Sequence, residues 1–492
     1  MKMYKYVSKA SLLILVGALT MTSCTDSFDE VNTDPDRPNA DIVPSTNTLA
    51  YCERYASDNM FDEWFDLNES AGFAGQIAKW QYTDEGYYNF RPSVNNTSWN
   101  TIYYTVSNLQ AIIDKEEEGS NMWATATIFQ CLIYQIASDR WGNIPYSNAL
   151  KLVEGVTKPA YDNQSSIYLD LLLRLKSAVQ ALGTQSDDIG SGDIIFGGDI
   201  TSWKKFGNSL RLRIAARIAN VSPTEAQAVF ADVLSTSSPI MDSNDYNAFF
   251  IWNAEYPEPY ADYYQTRPYE YGVSKLMVNT LKESNDPRLP IYCRQTVNYL
   301  NGVEGAEEYA GYQNGLEAYA NVSAFSAIGE RFMSSTSLTG FSPWMRAAET
   351  YFAIAYAASK GWSVGMTQQE AYEKAVSLSL EENGVSDADA ADFLANGGKY
   401  DGSQEQLFTQ WWVSLFKNGQ EAWSVYRMSG YPSGNIVAPD AYYPGHNTPP
   451  MCYGYPDNER NLNTENCEAQ AAKESDYFWG KQMWWDVRTG LK

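Results

Sequence analysis

The chain has 492 residues, of which 35 are basic and 60 acidic, giving a formal net charge of −25. A charge excess of this sign repels phosphate backbones and anionic head groups, so we expect no nucleic-acid partner. The only histidine is His446, which removes most nucleophile–base–acid arrangements and most zinc sites, because both usually need histidine in more than one role. Neither a phosphate-binding loop nor a dinucleotide fingerprint occurs, so no cofactor is expected.

The N-terminus carries an export signal. Lys2, Lys5 and Lys9 precede an apolar run, Leu12–Leu19, that is too short to cross a bilayer stably. The run ends in Met21-Thr22-Ser23-Cys24, which resembles the lipobox of bacterial lipoproteins. This resemblance implies that residues 1–23 are a lipoprotein signal peptide and that Cys24 is the lipid-attachment residue. Residues 24–47 follow as a predicted flexible tether, since Pro, Asn, Asp, Ser and Thr dominate residues 31–47.

The remaining residues, 48–492, are predicted to form a single helical domain. The clearest helix is Trp123–Asp139, whose apolar stripe is wide enough to pack on more than one side. Ser120 or Asn121 is expected to cap it, and Gly142 and Pro145 to end it. Consecutive helices form four predicted pairs: 99–115 with 123–139, 167–182 with 201–219, 344–358 with 369–380, and 404–417 with a short helix near 421–426. The pattern predicts an all-α, tetratricopeptide-like scaffold of helix pairs with long irregular loop insertions and no major sheet.

Several sequence blocks resemble one protein family. They are the turn Asp139–Tyr146, the helix block Gly198–Ala215, the turn Asp286–Leu289 and the late block Gly419–Gly430. These blocks resemble the SusD/RagB family of bacterial outer-membrane nutrient-binding lipoproteins, in its SusD-like branch. Met428 stands where many relatives carry a second arginine. Arg211, Arg213 and Arg427 within the blocks are interpreted as residues that tie helices together.

The resemblance implies a surface-exposed outer-membrane lipoprotein, held to the membrane only through its N-terminal lipid. It would capture an extracellular oligo- or polysaccharide without catalysing a reaction and deliver it to a TonB-dependent, SusC-type transporter. Three alternatives stay open: capture of peptides, as by RagB-type proteins; a surface glycosidase, which needs only two carboxylates; and an assembly module without a small ligand. The glycan and its linkage are not specified.

Aromatic loops that interrupt the helices are the candidate ligand sites. Sugar rings have apolar C–H faces and hydroxyl rims, so a sugar site needs flat aromatic side chains beside polar ones, and tyrosine tolerates a wet surface. The loops at 80–89, 252–271 and 299–319 offer this combination, and the prolines of the second loop discourage helix and sheet. The candidate ligand-binding residues are Trp80, Tyr82, Tyr87, Tyr88, Trp252, Tyr256, Tyr264 and Tyr312.

Metal binding is not predicted. The segment Asp242–Tyr246 fails the calcium-loop pattern, and the cysteines show no C-x-x-C spacing. Besides Cys24 there are five cysteines, and whether Cys452 and Cys467 form a disulfide is left open.

Overall fold

The structure is a computed structural model that describes residues 43–89, 91–235, 238–316, 321–436, 438, 445–471 and 481–491. Residues Ser45–Lys492 form one compact unit. The predicted signal peptide, the predicted lipid-attachment residue Cys24 and most of the predicted tether lie outside the described residues. The first helix begins at Ser45, three residues before the predicted start of the helical domain at residue 48.

Helices make up most of the described chain. In chain order they are α1 Ser45–Met60, α2 Ala71–Phe73, α3 Pro92–Lys115, α4 Asn121–Trp141, α5 Gln164–Ala181, α6 Ile200–Ile218, α7 Pro223–Ser235, α8 Pro259–Thr266, α9 Lys275–Glu283, α10 Leu289–Tyr292, α11 Val297–Leu300, α12 Ala347–Ser359, α13 Gln368–Glu382, α14 Asp387–Ala395, α15 Gln404–Ser414, α16 Gly419–Ser429, α17 Asp457–Leu462 and α18 Thr464–Ala471. A π-helical turn, Glu63–Ser70, joins α1 to α2.

Strands are short and pair only in twos. They are β1 Ile77–Lys79, β2 Ile144–Pro145, β3 Tyr161–Asp162, β4 Ala248–Trp252, β5 Tyr271–Val273 and β6 Gly340–Met345. The antiparallel pairs are β1 with β5, β2 with β3 and β4 with β6. The prediction that the fold has no major sheet is confirmed for the described part of the chain.

Helix α4 lies at the centre of the scaffold. Ser120 caps it by accepting a hydrogen bond from the backbone N–H of Trp123 (3.2 Å), and Gly142 ends it with a φ of 79°, a value that favours glycine. Nearly all its side chains are buried, and it packs against α3, α5, α6 and α16. The prediction of a helix packed on more than one side is therefore confirmed.

All four predicted helix pairs are present: α3 packs against α4, α5 against α6, α12 against α13, and α15 against α16. Arg211 and Arg213 tie helices together as predicted, whereas Arg427 joins α16 to the loop at Met451. Arg213 on α6 donates to Glu349 on α12 (2.7 Å), Arg211 pairs with Asp232 on α7, and Arg427 donates to the carbonyl of Met451 (2.9 Å). Buried charged side chains in this scaffold are thus paired or hydrogen-bonded, which offsets the cost of their burial.

Two predicted boundaries are wrong. The helix expected from Trp344 begins at Ala347, because the backbone N–H of Arg346 donates to Glu349 in a capping box, and residues 340–345 form β6 instead. The loop at 252–271, in which proline was expected to prevent helix and sheet, contains α8 and the start of β5. Pro259 occupies the first turn of α8, where a proline needs no hydrogen-bond partner for its nitrogen.

The cysteines of the described chain are structural thiols. Cys52, Cys131, Cys293, Cys452 and Cys467 are all buried, and no disulfide joins any two of them. Burial raises the pKa of the Cys131 thiol to about 11, which keeps it protonated and unreactive at neutral pH. Within the described ranges, no helix combines the length and apolar character needed to cross a membrane.

Candidate functional site

A cleft of about 840 Å³ lies where the end of α1, the π-helical turn, the loop after β1 and helix α8 meet. This volume is within the range of small-molecule and oligomer sites. It is lined by Asp58, Asn59, Asp62, Glu63, Trp64, Lys79, Tyr82, Arg91, Pro257, Pro259, Asp262, Tyr263, Thr266, Arg267 and Glu270. We call it the aromatic cleft.

Tyr82 is the most exposed aromatic side chain of the aromatic cleft, with 63% of its surface accessible. Its backbone has a φ of 51°, a left-handed conformation that costs a non-glycine residue about 1 kcal/mol or more. The guanidinium of Arg267 lies over the ring, 5.4 Å from its centroid. One face of the ring is therefore held by a cation while the side chain as a whole stays accessible to a ligand.

Trp64 supplies a second ring, and the π-helical turn positions it. Asp62 caps this turn by accepting hydrogen bonds from the backbone N–H groups of Trp64 (3.0 Å) and Phe65 (2.6 Å). The guanidinium of Arg91 lies 5.3 Å from the centroid of the Trp64 ring. The cap at Asp62 fixes the backbone of Trp64, and Arg91 contacts its ring. The half-buried indole is therefore held in place before any ligand binds.

The floor of the aromatic cleft is a buried ionic network. Lys79 at the end of β1 lies 2.5 Å from Glu85 and 3.0 Å from Glu270, and all three side chains are about 5% exposed. Arg91 pairs with the second oxygen of Glu85, and Tyr263 donates a hydrogen bond to Glu270 (2.7 Å). The network joins the loop after β1 to the segment between α8 and β5, and so fixes the two sides of the cleft relative to each other.

The aromatic cleft is acidic overall, because five carboxylates and three basic side chains line it. Burial raises the pKa of Asp58 and that of Glu63, and the negative charge of Asp262 adds to both shifts. Such surroundings favour neutral or cationic ligands over polyanions. In the described part of the chain, no group of three or more His, Cys, Asp or Glu side chains is placed to hold a metal ion.

Five of the eight predicted ligand-binding residues are buried instead of lining a surface: Trp80, Tyr87, Tyr88, Trp252 and Tyr312. The Trp80 indole packs against Gly272, where a Cβ would collide with the ring. Trp252 donates its indole N–H to Ser342 (2.8 Å). As they stand, these rings pack the loops onto the scaffold and offer no face to a ligand, so we no longer assign them to the site.

The structure brings only one of the other three into the aromatic cleft. Tyr82 lines it, and Tyr256, 46% exposed, directly precedes the lining residue Pro257. Tyr264 does not line the cleft, and the guanidinium of Arg294 lies 4.7 Å from its ring centroid.

Of the lining residues, the sequence predicted only Tyr82; those it missed include the two other aromatic rings, Trp64 and Tyr263, and the cation Arg267. The sequence does contain a signal for Trp64. Acidic residues surround it at positions 62–66, and such residues are rarely buried, which indicates a tryptophan near the surface.

A second groove of about 840 Å³ runs between α9, the start of α15 and residues 432–436. Its described lining is rich in amides and hydroxyls, such as Asn279, Gln313, Gln406 and Thr409, and contains no aromatic ring. We call it the polar groove.

A scaffold of helix pairs that presents a preformed aromatic cleft among its loops defines a binding protein of the helical-repeat class. A family model described as SusD-like, starch-binding and associating with the outer membrane matches residues 42–456. The chain therefore belongs to the SusD-like family, as the sequence blocks predicted.

Solved structures agree with this assignment. A chitin-binding protein superimposes with a TM-score of 0.79 at 26% identity, covering 90% of this chain and 100% of that one. A SusD-like protein from Bacteroides thetaiotaomicron superimposes with a TM-score of 0.77 at 24% identity, covering 91% of this chain and 100% of that one. A chitin-binding SusD homologue from Flavobacterium johnsoniae superimposes with a TM-score of 0.75 at 23% identity, covering 90% of this chain and 99% of that one. The predicted all-α, tetratricopeptide-like fold is confirmed. No curated protein sequence matches the chain significantly.

Proposed function

We propose that the protein captures an extracellular glycan in the aromatic cleft without transforming it. The observation that carries this proposal is the pair of oriented rings, Tyr82 and Trp64, each with a guanidinium on one face and carboxylates nearby. Rings of this kind suit the C–H faces of sugars, and the surrounding carboxylates and guanidinium groups suit their hydroxyls. The family description as starch-binding and the chitin-binding relative both support a neutral polysaccharide.

Affinity electrophoresis of the form that begins after Cys24 tests this proposal. Native gels would contain starch, a soluble chitin derivative, or an acidic polysaccharide. We expect a neutral polymer to retard the protein, and Trp64→Ala or Tyr82→Ala to abolish most of the retardation, since losing about 1.5 kcal/mol of apolar contact weakens binding about tenfold. Tyr299→Ala, which removes an exposed tyrosine outside the cleft, is the matched control. Retardation that survives both cleft substitutions would overturn the assignment of the site.

The capture step would serve import. With Cys24 as lipid anchor, the protein would stand on the outer surface of the outer membrane and pass its ligand to a TonB-dependent, SusC-type transporter. The lipobox-like N-terminus and the family's association with the outer membrane support this part of the proposal. Co-purification of a transporter with the full-length, tagged protein from detergent-solubilised outer membranes is the expected result. In a Cys24→Ser variant that is still exported, we expect this co-purification to be lost, because the variant has no lipid anchor.

The polar groove favours one alternative, capture of a peptide. Side-chain amides such as those of Asn279 and Gln313 can donate to and accept from the backbone groups of a peptide. They suit a peptide backbone better than they suit the apolar face of a sugar ring. Binding of a peptide library, unaffected by Tyr82→Ala and lost in Asn279→Ala, would favour this function. Glycan binding that is lost in Tyr82→Ala would exclude peptide capture as the main function. Release of shortened oligosaccharides from a bound glycan would instead indicate a glycosidase.

A further inference from the structure

Three tyrosines form a partly exposed aromatic surface on two neighbouring helices. Tyr51 and Tyr55 stand one turn apart on α1 with nearly parallel rings, 5.6 Å between centroids and 13° between planes. Tyr104 on α3 meets both rings edge-on, at 6.1 and 5.2 Å, and is 48% exposed. We call these three residues the helical tyrosine patch.

The two helices also have fully buried packing residues apart from the patch. Helix α1 is buried through Leu49, Cys52 and Ala56, and α3 through residues such as Ile102 and Val106, all 0 or 1% exposed. The three tyrosines stand beside this packing face and keep part of their surface in water. Three neighbouring aromatic rings that are partly exposed to water are typical of a recognition surface.

The patch is continuous with the aromatic cleft. Asn59, one helical turn beyond Tyr55, lines the cleft and donates its amide to the carbonyl of Tyr55 (2.9 Å). From Tyr51 to Asn59 the axis of α1 rises by about 12 Å. On the other side, the guanidinium of Arg54 lies over the rings of Tyr51 (5.9 Å) and Tyr256 (5.4 Å).

A smaller cavity of about 260 Å³ adjoins the aromatic cleft beside α3. Trp64 and Arg91 line both this cavity and the aromatic cleft, and Thr101, three residues before Tyr104 on α3, lines the cavity on the side of the patch. The cavity therefore extends the aromatic cleft toward α3, the helix that carries Tyr104.

We propose that the helical tyrosine patch is a second platform for sugar rings, on which the polysaccharide chain held in the aromatic cleft continues along α1. This inference rests on the proposed function. It specifies that the ligand is a long glycan chain in preference to a short oligosaccharide. The second contact is made within a complex that already exists, so it adds affinity without a second loss of translational freedom.

Calorimetric titration with a length series of the retained glycan tests the inference. Tyr55→Ala/Tyr104→Ala is expected to weaken binding of long oligosaccharides by about fivefold or more and to leave di- and trisaccharide binding unchanged. Tyr82→Ala should weaken both. The matched control, Tyr55→Phe/Tyr104→Phe, keeps the rings and should keep most of the affinity for long chains. Circular dichroism and melting temperature show whether each variant is folded.

The outcomes separate the two proposals. If the wild-type protein binds no glycan of any length, the proposed function fails and the inference with it. If it binds long chains and the double alanine variant binds them equally well, only the inference is wrong. Unchanged glycan binding together with lost co-purification of the transporter would make the patch a protein contact and would equally overturn the inference.

Discussion

Lys79 offers the sharpest test of how the aromatic cleft is held together. Its ammonium group is 2.5 Å from Glu85 and 3.0 Å from Glu270, and the side chain is 5% exposed. At an effective dielectric constant of about 20, each contact contributes about 5 to 7 kcal/mol of attraction before the cost of desolvation is subtracted. Lys79→Met keeps the apolar stem but leaves two carboxylates buried together, a change that costs about 3–5 kcal/mol of unfolding free energy.

Urea denaturation followed by tryptophan fluorescence at pH 8 measures this loss. Lys275→Met, at an exposed lysine, is the control and should stay within about 0.5 kcal/mol of the wild type. The reasoning is refuted if Lys79→Met is as stable as this control.

Two further predictions concern the scaffold. Burial and the neighbouring Asp193 raise the pKa of Glu53 well above its usual value, so stability from this group is present at acidic pH and lost as pH rises from about 4.3 through the raised pKa. Glu53→Gln should therefore lose less melting temperature than the wild type between pH 5 and pH 8, and parallel pH profiles would count against this assignment. Gly207→Ala should lower unfolding free energy by about 1–3 kcal/mol, although alanine is the better helix former by about 1 kcal/mol, because its Cβ would collide with Val179 and come within 3.1 Å of Ile128. A urea midpoint equal to or above that of the wild type would contradict the close packing of these helices.

The scaffold could be predicted because its signals are local. Helix α4 begins at a capping serine and ends at Gly142 with a positive φ, and its apolar side chains repeat with the period of a helix. Helix α12 shows the limit of this reasoning. The apolar residues just before it fit a helix equally well, and only the pairing of β6 with β4, a contact distant in sequence, makes them a strand.

The binding residues could not be chosen from the sequence, because residue type and loop position do not determine exposure. Trp80 and Tyr82 are two residues apart in one loop, yet Trp80 covers the backbone of Gly272 and Tyr82 projects into the cleft. The difference depends on the left-handed backbone at Tyr82 and on β5, a partner strand nearly 200 residues away. Trp64 lies in a π-helical turn, a conformation that no sequence periodicity predicts.

The most direct test of glycan capture in the aromatic cleft is calorimetric titration of the soluble form with chitin and starch oligosaccharides, comparing the wild type with Tyr82→Ala and Tyr299→Ala. Our account predicts binding of one of these sugars by the wild type and by Tyr299→Ala, with affinity about tenfold lower or undetectable in Tyr82→Ala. Equal affinities in all three proteins would contradict it, because the ring held by Arg267 would then contribute nothing to the ligand.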